Sequence, residues 1–146
     1  MKLSAEQFAD LAASFAPDDR ARANRERRRA PRLELSASLA VRVLKDDRLG
    51  RAVTVQVQDF SSRGLAILYP ARLEPGGRFV VQLARQSGGV AVMLCTVMHV
   101  RRVSDELFRI GAEFTCQLGE HPGRHAPSDE VDAQLRRLRE SAESEN

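Results

Sequence analysis

The strongest constraint on how this chain folds is a change in hydrophobic period at Leu33. Before it, Ser4 and Gln7 stand at the spacing of a capping box, and Phe8, Leu11, Ala12 and Phe15 fall on one face at helical spacing. A helix is therefore expected over residues 4–16, stopped by Pro17 and two aspartates. After Leu33 the period drops to two. Leu33, Leu35, Ala37, Leu39, Val41 and Val43 alternate with mostly polar neighbours, and Val53, Val55 and Val57 alternate with Thr54, Gln56 and Gln58. Phe79, Val81 and Leu83 repeat the pattern, Val90–Val100 is a longer apolar run, and Phe108, Ile110, Ala112 and Phe114 close the series. Turn signals separate the runs at Asp46-Asp47, Pro75-Gly76-Gly77, Ser87-Gly88-Gly89 and Ser104-Asp105. Such spacing predicts a mainly β fold of six short antiparallel strands. A small closed barrel is preferred over a sandwich, because closure removes exposed strand edges.

A second helix is expected after Gly123. Ser128 is its cap, Asp129 and Glu130 lie in its first turn, and Val131, Leu135 and Leu138 form a narrow apolar stripe. Arg136, Arg137 and Arg139 would complement its C-terminal dipole, with a frayed tail beyond Glu140. At 146 residues and 42% apolar content, the chain fits one compact core with an appendage at each end. No apolar run approaches the length of a membrane span. The opening residues Met1–Glu6 lack the basic-then-apolar design of a secretory signal, so the cytoplasm is the expected location. Cys95 and Cys116 lie in apolar-alternating stretches and read as free buried or half-buried thiols. His121 and His125 are four apart, but Pro122 and Gly123 break any helix between them, so neither a metal nor a cofactor is expected.

Charge is concentrated. Between Arg20 and Arg32 stand seven arginines (20, 22, 25, 27, 28, 29 and 32) against the single acid Glu26. This segment reads as a basic linker, and such a run attracts anions, whether phosphate, nucleic acid or an acidic surface. Lys2 and Lys45 are the only lysines among the 23 basic residues, and arginine is the better residue for planar, bidentate recognition. No nucleophile–base pair stands out, carboxylates do not cluster in apolar sequence, and dinucleotide and P-loop glycine patterns are missing. A binding protein is expected, not an enzyme.

Two segments carry the chemistry: Arg27-Arg28-Arg29-Ala30-Pro31-Arg32, just before the first strand, and Asp59-Phe60-Ser61-Ser62-Arg63-Gly64, where the second ends. Together they resemble the PilZ family, whose pattern is R-x-x-x-R followed at an interval by (D/N)-x-S-x-x-G. Arg28 and Arg32 fill the first motif, and Asp59, Ser61 and Gly64 the second, with Asp59 following Arg32 by 27 positions. Arg25 and Arg29 also satisfy R-x-x-x-R, but Pro31-Arg32-Leu33 leads straight into the strand and favours the Arg28/Arg32 register. Phe108–Phe114 looks like the family's closing strand. The resemblance covers about residues 24–120. It implies a six-stranded PilZ-type β-barrel at 24–120, between an N-terminal helix with the start of the basic linker at 1–23 and a C-terminal helix and tail at 121–146.

The ligand it implies is the second messenger cyclic di-GMP. Guanine offers O6 and N7 acceptors that an arginine fork can meet, and N1–H and N2–H donors that Asp59 can accept. Guanidinium groups can also stack on a purine or pair with phosphate. The expected binding residues are Arg28, Arg32, Asp59, Ser61 and Gly64, with Arg27, Arg29 and Arg63 as additional candidates. Ser61 would supply a hydroxyl bond, and Gly64 would allow close backbone approach and a positive φ. Arginines in the linker would fold over the ligand and pass a conformational signal to a separate protein partner, in motility, biofilm formation or a related process. Two other readings stay open: a PilZ scaffold acting through protein contacts alone, and a small nucleic-acid-binding barrel. Against the latter stand one tyrosine and no tryptophan for stacking bases. Homodimerisation, the number of dinucleotides bound and the roles of the end helices stay open too.

Overall fold

The computed structural model describes residues 1–12, 15, 33–46, 48–123 and 126–144, with side chains left out at 33–36, 128, 139 and 141–144. Helix α1 (Ala5–Ala12) precedes strands β1 (Leu33–Lys45), β2 (Arg48–Leu49), β3 (Val53–Phe60), β4 (Gly64–Tyr69), β5 (Arg78–Ala84), β6 (Val90–Ser104) and β7 (Leu107–His121). Helix α2 (Ser128–Ser144) follows. The strands pair antiparallel in the order β2-β1-β3-β4-β7-β6-β5, and β1 pairs again with β5. That last ladder, Val41↔Val81 through Leu44↔Arg78, closes six strands into a barrel and leaves β2 as a short flap hairpinned to β1.

Alternation explains most of this. Val41, Val57, Ile67, Phe79, Val81, Leu83, Met93, Cys95 and Ile110 point inward and are fully buried. Each such side chain contributes about 1.5–3 kcal/mol by leaving water. Strand β4, Gly-Leu-Ala-Ile-Leu-Tyr, is apolar throughout and has no period-two signature in sequence. Strands β6 and β7 run to Ser104 and His121, well past the alternating stretches that reveal them, because they sustain each other as a long twisted hairpin whose register shifts at several positions. The thiol of Cys95 is pushed up by burial, whereas Cys116 lies in the separate outer cluster.

The N-terminal segment caps one end of the barrel. The expected capping box forms: the Ser4 hydroxyl accepts from the Gln7 amide at 3.1 Å, and the Ser4 amide donates to Gln7 Oε1 at 3.0 Å. The helix is described to Ala12, shorter than the 4–16 span expected, and Phe15 is buried beyond it. Phe8 stacks on Phe60 with centroids 5.2 Å apart and planes 7° apart; Phe15 lies 5.2 Å and Phe114 6.0 Å from the same ring. On the opposite side of α1, Asp10 accepts from the Ser87 amide at 2.8 Å, the Ser87 hydroxyl at 2.9 Å and Arg85 Nε at 3.1 Å. Arg85 also reaches Glu120 at 2.8 Å, so one guanidinium ties α1 to β7. Gly88 and Gly89, at φ of 116° and 74°, supply the left-handed turn that presents Ser87.

Helix α2 packs outside the barrel. Val131 and Ala126 join Val80, Val90, Val92 and Leu94 in a second core, with Leu135 against it. The apolar stripe ends there, since Leu138 is 39% exposed. The expected extent of this helix is corrected. It continues to Ser144, so Arg136, Arg137 and Arg139 lie along its middle, and its last turn carries no basic residue. The Ser128 cap expected from sequence falls on a side chain outside the described set; the Pro127 carbonyl accepts from Glu130 and Val131 there. No helix among the described residues is long and apolar enough to cross a membrane.

Two stability predictions follow from the capped end. Phe60→Ala removes the ring on which three others rest and is expected to cost about 3–5 kcal/mol, read as a lowered urea midpoint; Phe8→Ala should cost less. The Ser87 amide, then its hydroxyl and Arg85, hold Asp10 below the ordinary carboxylate pKa, with desolvation opposing them. A depressed folded pKa means the stabilisation is present above the unfolded value of 3.8 and fades as pH falls through the folded one. Amides of α1 should therefore lose hydrogen-exchange protection on acidification before the barrel does, and Asp10→Asn should remove that pH dependence.

Candidate functional site

The site residues stand where β3 leaves the barrel. Strict alternation would turn Asp59 inward with Val57 and put Phe60 outside. Instead β3 carries an extra residue against β4, pairing Val57↔Ile67 and then Asp59↔Ala66. Such a bulge shifts the side-chain parity of its strand. Phe60 and Val57 both reach the core, while Gln58 and Asp59 share the outer face. Asp59 is 7% exposed, the one buried charged or polar residue among those described. Across β4, Arg109 on β7 flanks the fully buried Ile110 and so points outward as well. Its Nε donates to Gln58 Oε1 at 3.1 Å, and its Nη2 stands 3.8 Å from Asp59 Oδ2.

Beyond Phe60 the chain turns sharply. The Ser61 amide donates to the Gly64 carbonyl at 2.9 Å, and the Ser61 hydroxyl accepts from the amides of Arg63 at 3.2 Å and Gly64 at 3.3 Å. This is the side-chain-to-backbone pattern by which serine stabilises tight turns. Its hydroxyl is thus engaged within the turn. Gly64 is needed for a different reason from the positive φ expected of it. Its φ lies outside the left-handed region, and a Cβ there would meet the Ala112 carbonyl oxygen at 1.9 Å. The glycine lets β4 and β7 approach at the end of their ladder. The turn is anchored on both sides, by Phe114 N donating to Arg63 O at 2.8 Å and Leu3 N donating to Ser62 O at 2.7 Å.

The structure thus brings Asp59, Ser61, Arg63 and Gly64 into one corner of the barrel, with Arg63 exposed. Arg27, Arg28, Arg29 and Arg32 lie outside the described residues. Gln58 and Arg109 were not singled out from sequence; the only signal for Arg109 is a charge at an outward position of the strand paired to β4. His121 serves the fold: its Nδ1 accepts from the Gly123 amide at 3.0 Å and its Nε2 faces Glu130 at 3.4 Å, pinning the start of α2 to β7.

With this geometry in place, comparison with known proteins is direct. The PilZ domain profile matches residues 26–141. No curated protein sequence matches the chain. Among solved structures, the chain is similar to the PilZ domain of Escherichia coli YcgR with c-di-GMP, at 21% identity over 82% of this chain and 93% of that one, TM-score 0.42. It is also similar to the K. pneumonia MrkH–c-di-GMP complex, at 20% identity over 82% of this chain and 53% of that one, TM-score 0.43. A third is the Bacillus subtilis inhibitor of motility MotI/DgrA, at 11% identity over 80% and 52%, TM-score 0.41. The chain spans about half the length of MotI and MrkH. A profile that runs from the arginine segment through the barrel into α2, on a closed six-stranded barrel carrying Asp59, Ser61 and Gly64 in register, shows that this chain belongs to the PilZ domain family.

Proposed function

We propose that the chain is a cyclic di-GMP receptor that acts by binding and not by catalysis, and that it signals to a protein partner through its N-terminal segment. The observation that carries this reading is the pairing of β1 with β3. Leu33 stands opposite Phe60 and Glu34 opposite Asp59. Arg32 is one residue from Leu33, a Cα step of about 3.8 Å, so chain connectivity keeps the end of the arginine motif within reach of the buried carboxylate. Arg28, five positions before Leu33, is tethered within about 18 Å of it even for a fully extended chain. Both halves of the motif are thus within reach of one ligand by chain length alone, which supports the reading.

The chemistry suits a guanine dinucleotide. Asp59, fixed on the outer face by the bulge, accepts from guanine N1–H and N2–H. Arg28 and Arg32 meet the remaining guanine edge, its face or the phosphates. Ser61 and Gly64 shape the corner that the ligand lies against. The signal leaves by the same corner: Ser62 holds Leu3, and Phe60 carries Phe8 and Phe15, so a ligand that draws the arginine segment over Asp59 acts on both attachments of the N-terminal segment. This gives the ligand a differential contact between two states, which a switch requires.

Calorimetric titration of the full chain with cyclic di-GMP tests the reading. Arg28→Ala, Arg32→Ala and Asp59→Ala are each expected to weaken binding about tenfold to a hundredfold, the loss of one charge-assisted hydrogen bond. Arg29→Ala should change it far less; the reverse ranking of Arg28 and Arg29 would overturn the register. A folded chain that fails to bind points to the scaffold reading, and displacement of the dinucleotide by single-stranded DNA at moderate salt points to the electrostatic one. Hydrogen exchange gives the mechanism: amides of residues 20–32 should be more protected at saturating cyclic di-GMP than without it, while barrel strands change little. Equal protection in both conditions rejects the switch.

A further inference from the structure

The pair formed by Asp59 and Arg109 offers more than the motif asks of it. Nε of Arg109 donates to Gln58 Oε1, which restrains the orientation of the guanidinium. Nη2 lies 3.8 Å from Asp59 Oδ2, close enough for an ion pair and beyond a hydrogen bond, and among the described residues it donates to no other atom. The arginine side chain is 28% exposed and lies, like the carboxylate, on the outer face of the barrel. Side by side, Asp59 Oδ2 and Arg109 Nη2 offer an acceptor next to a donor, while Asp59 Oδ1 is itself buried. The Watson–Crick edge of guanine presents the complement: N2–H and N1–H donors next to the O6 acceptor. Adenine carries an amino donor where guanine has O6, and an acceptor at N1.

We propose that Arg109 is a specificity-determining residue of the binding site, donating from Nη2 to guanine O6 while Asp59 accepts from N1–H and N2–H. The inference rests on the cyclic di-GMP reading. Asp59 alone would reject adenine through N1. Arg109 adds a second rejection at the exocyclic position and supplies the bond that an unpartnered O6 would otherwise lack. Gln58 is a positioning residue, acting through the arginine it orients, and the bulge that places Gln58 beside Asp59 serves both.

The test compares three dinucleotides on the full chain by calorimetry: cyclic di-GMP, cyclic di-AMP, and the inosine analogue, which keeps O6 and N1–H but lacks the 2-amino group. For Arg109→Ala, affinity for both O6-bearing ligands should fall about tenfold or more, while that for cyclic di-AMP should stay within about twofold or rise, so selectivity narrows by about tenfold. Arg109→Lys, which keeps a donor, should recover part of it. A parallel loss for all three ligands would reduce Arg109 to a structural role and overturn the proposal, as would unchanged cyclic di-GMP binding. If Arg109→Ala does not fold, Gln58→Ala decides on the same ratio. Failure of the unaltered chain to bind cyclic di-GMP would reject the receptor reading itself, a result distinct from any outcome in the variants.

Discussion

An added residue in β3 sets the geometry on which both the core and the candidate site depend. Between Val57 and Phe60 a regular strand would place one of the two outside the barrel. The bulge at Gln58 gives both an inward position, and the residue displaced outward is Asp59. Phe60 then serves as the floor of the capped end, with Phe8, Phe15 and Phe114 around it. The same backbone irregularity therefore buries the central ring at that end and brings a carboxylate to the outer face. Without it, the fold would have either a charge inside the barrel or an aromatic cap with no base.

Phe60 also explains why the N-terminal appendage and the site form one mechanical unit. The intervening segment enters beside Phe60 through Phe15 and leaves beside it through Leu33, so both of its ends lie against the residue that follows Asp59. The turn after Phe60 is held by Ser61 internally and by Leu3 from outside. On the proposed function, a ligand at Asp59 has no need of a distant relay. Two of the contacts that fix the N-terminal segment, Leu3 on Ser62 and Phe8 on Phe60, fall within the motif itself. The polar ties at Asp10 are charge-dependent and partly solvent-facing, which makes them weaker than the aromatic packing.

Much of this was legible in the residues, for identifiable reasons. Period-two alternation marks strands with one wet face, so β1, β3, β5 and β7 announce themselves, and Ser4 with Gln7 announces the helix start. Strand β4 is apolar on both faces and carries no such mark. The extents of β6 and β7 come from mutual pairing across a long hairpin, which single-strand patterning does not see. That Asp59, Ser61 and Gly64 share one corner was readable by type and spacing, but the reason for Gly64 was not: its need comes from the Ala112 carbonyl, close in space and distant in sequence. Arg109 shows the same limit. In sequence it is one polar residue of an alternating strand, and only the β4–β7 pairing puts it opposite Leu68, from where its side chain reaches Gln58 and Asp59.

The balance of charge at the site is the last piece of its logic. A dense arginine segment attracts any anion, and the phosphates of a dinucleotide are not distinguishable from those of an oligonucleotide by charge alone. A carboxylate placed among such arginines repels phosphate, so it lowers the affinity for an anion in general. It repays that only to a ligand with paired N–H donors, and among the nucleobases the Watson–Crick edge of guanine offers two adjacent to an acceptor. Asp59 being buried and Arg109 being held by Gln58 sharpen the contrast, because a fixed charge in a partly desolvated place discriminates more strongly than one free to move in water. On the proposed reading, attraction comes from the arginine segment, and choice comes from the short stretch of barrel where β3 bulges against β4.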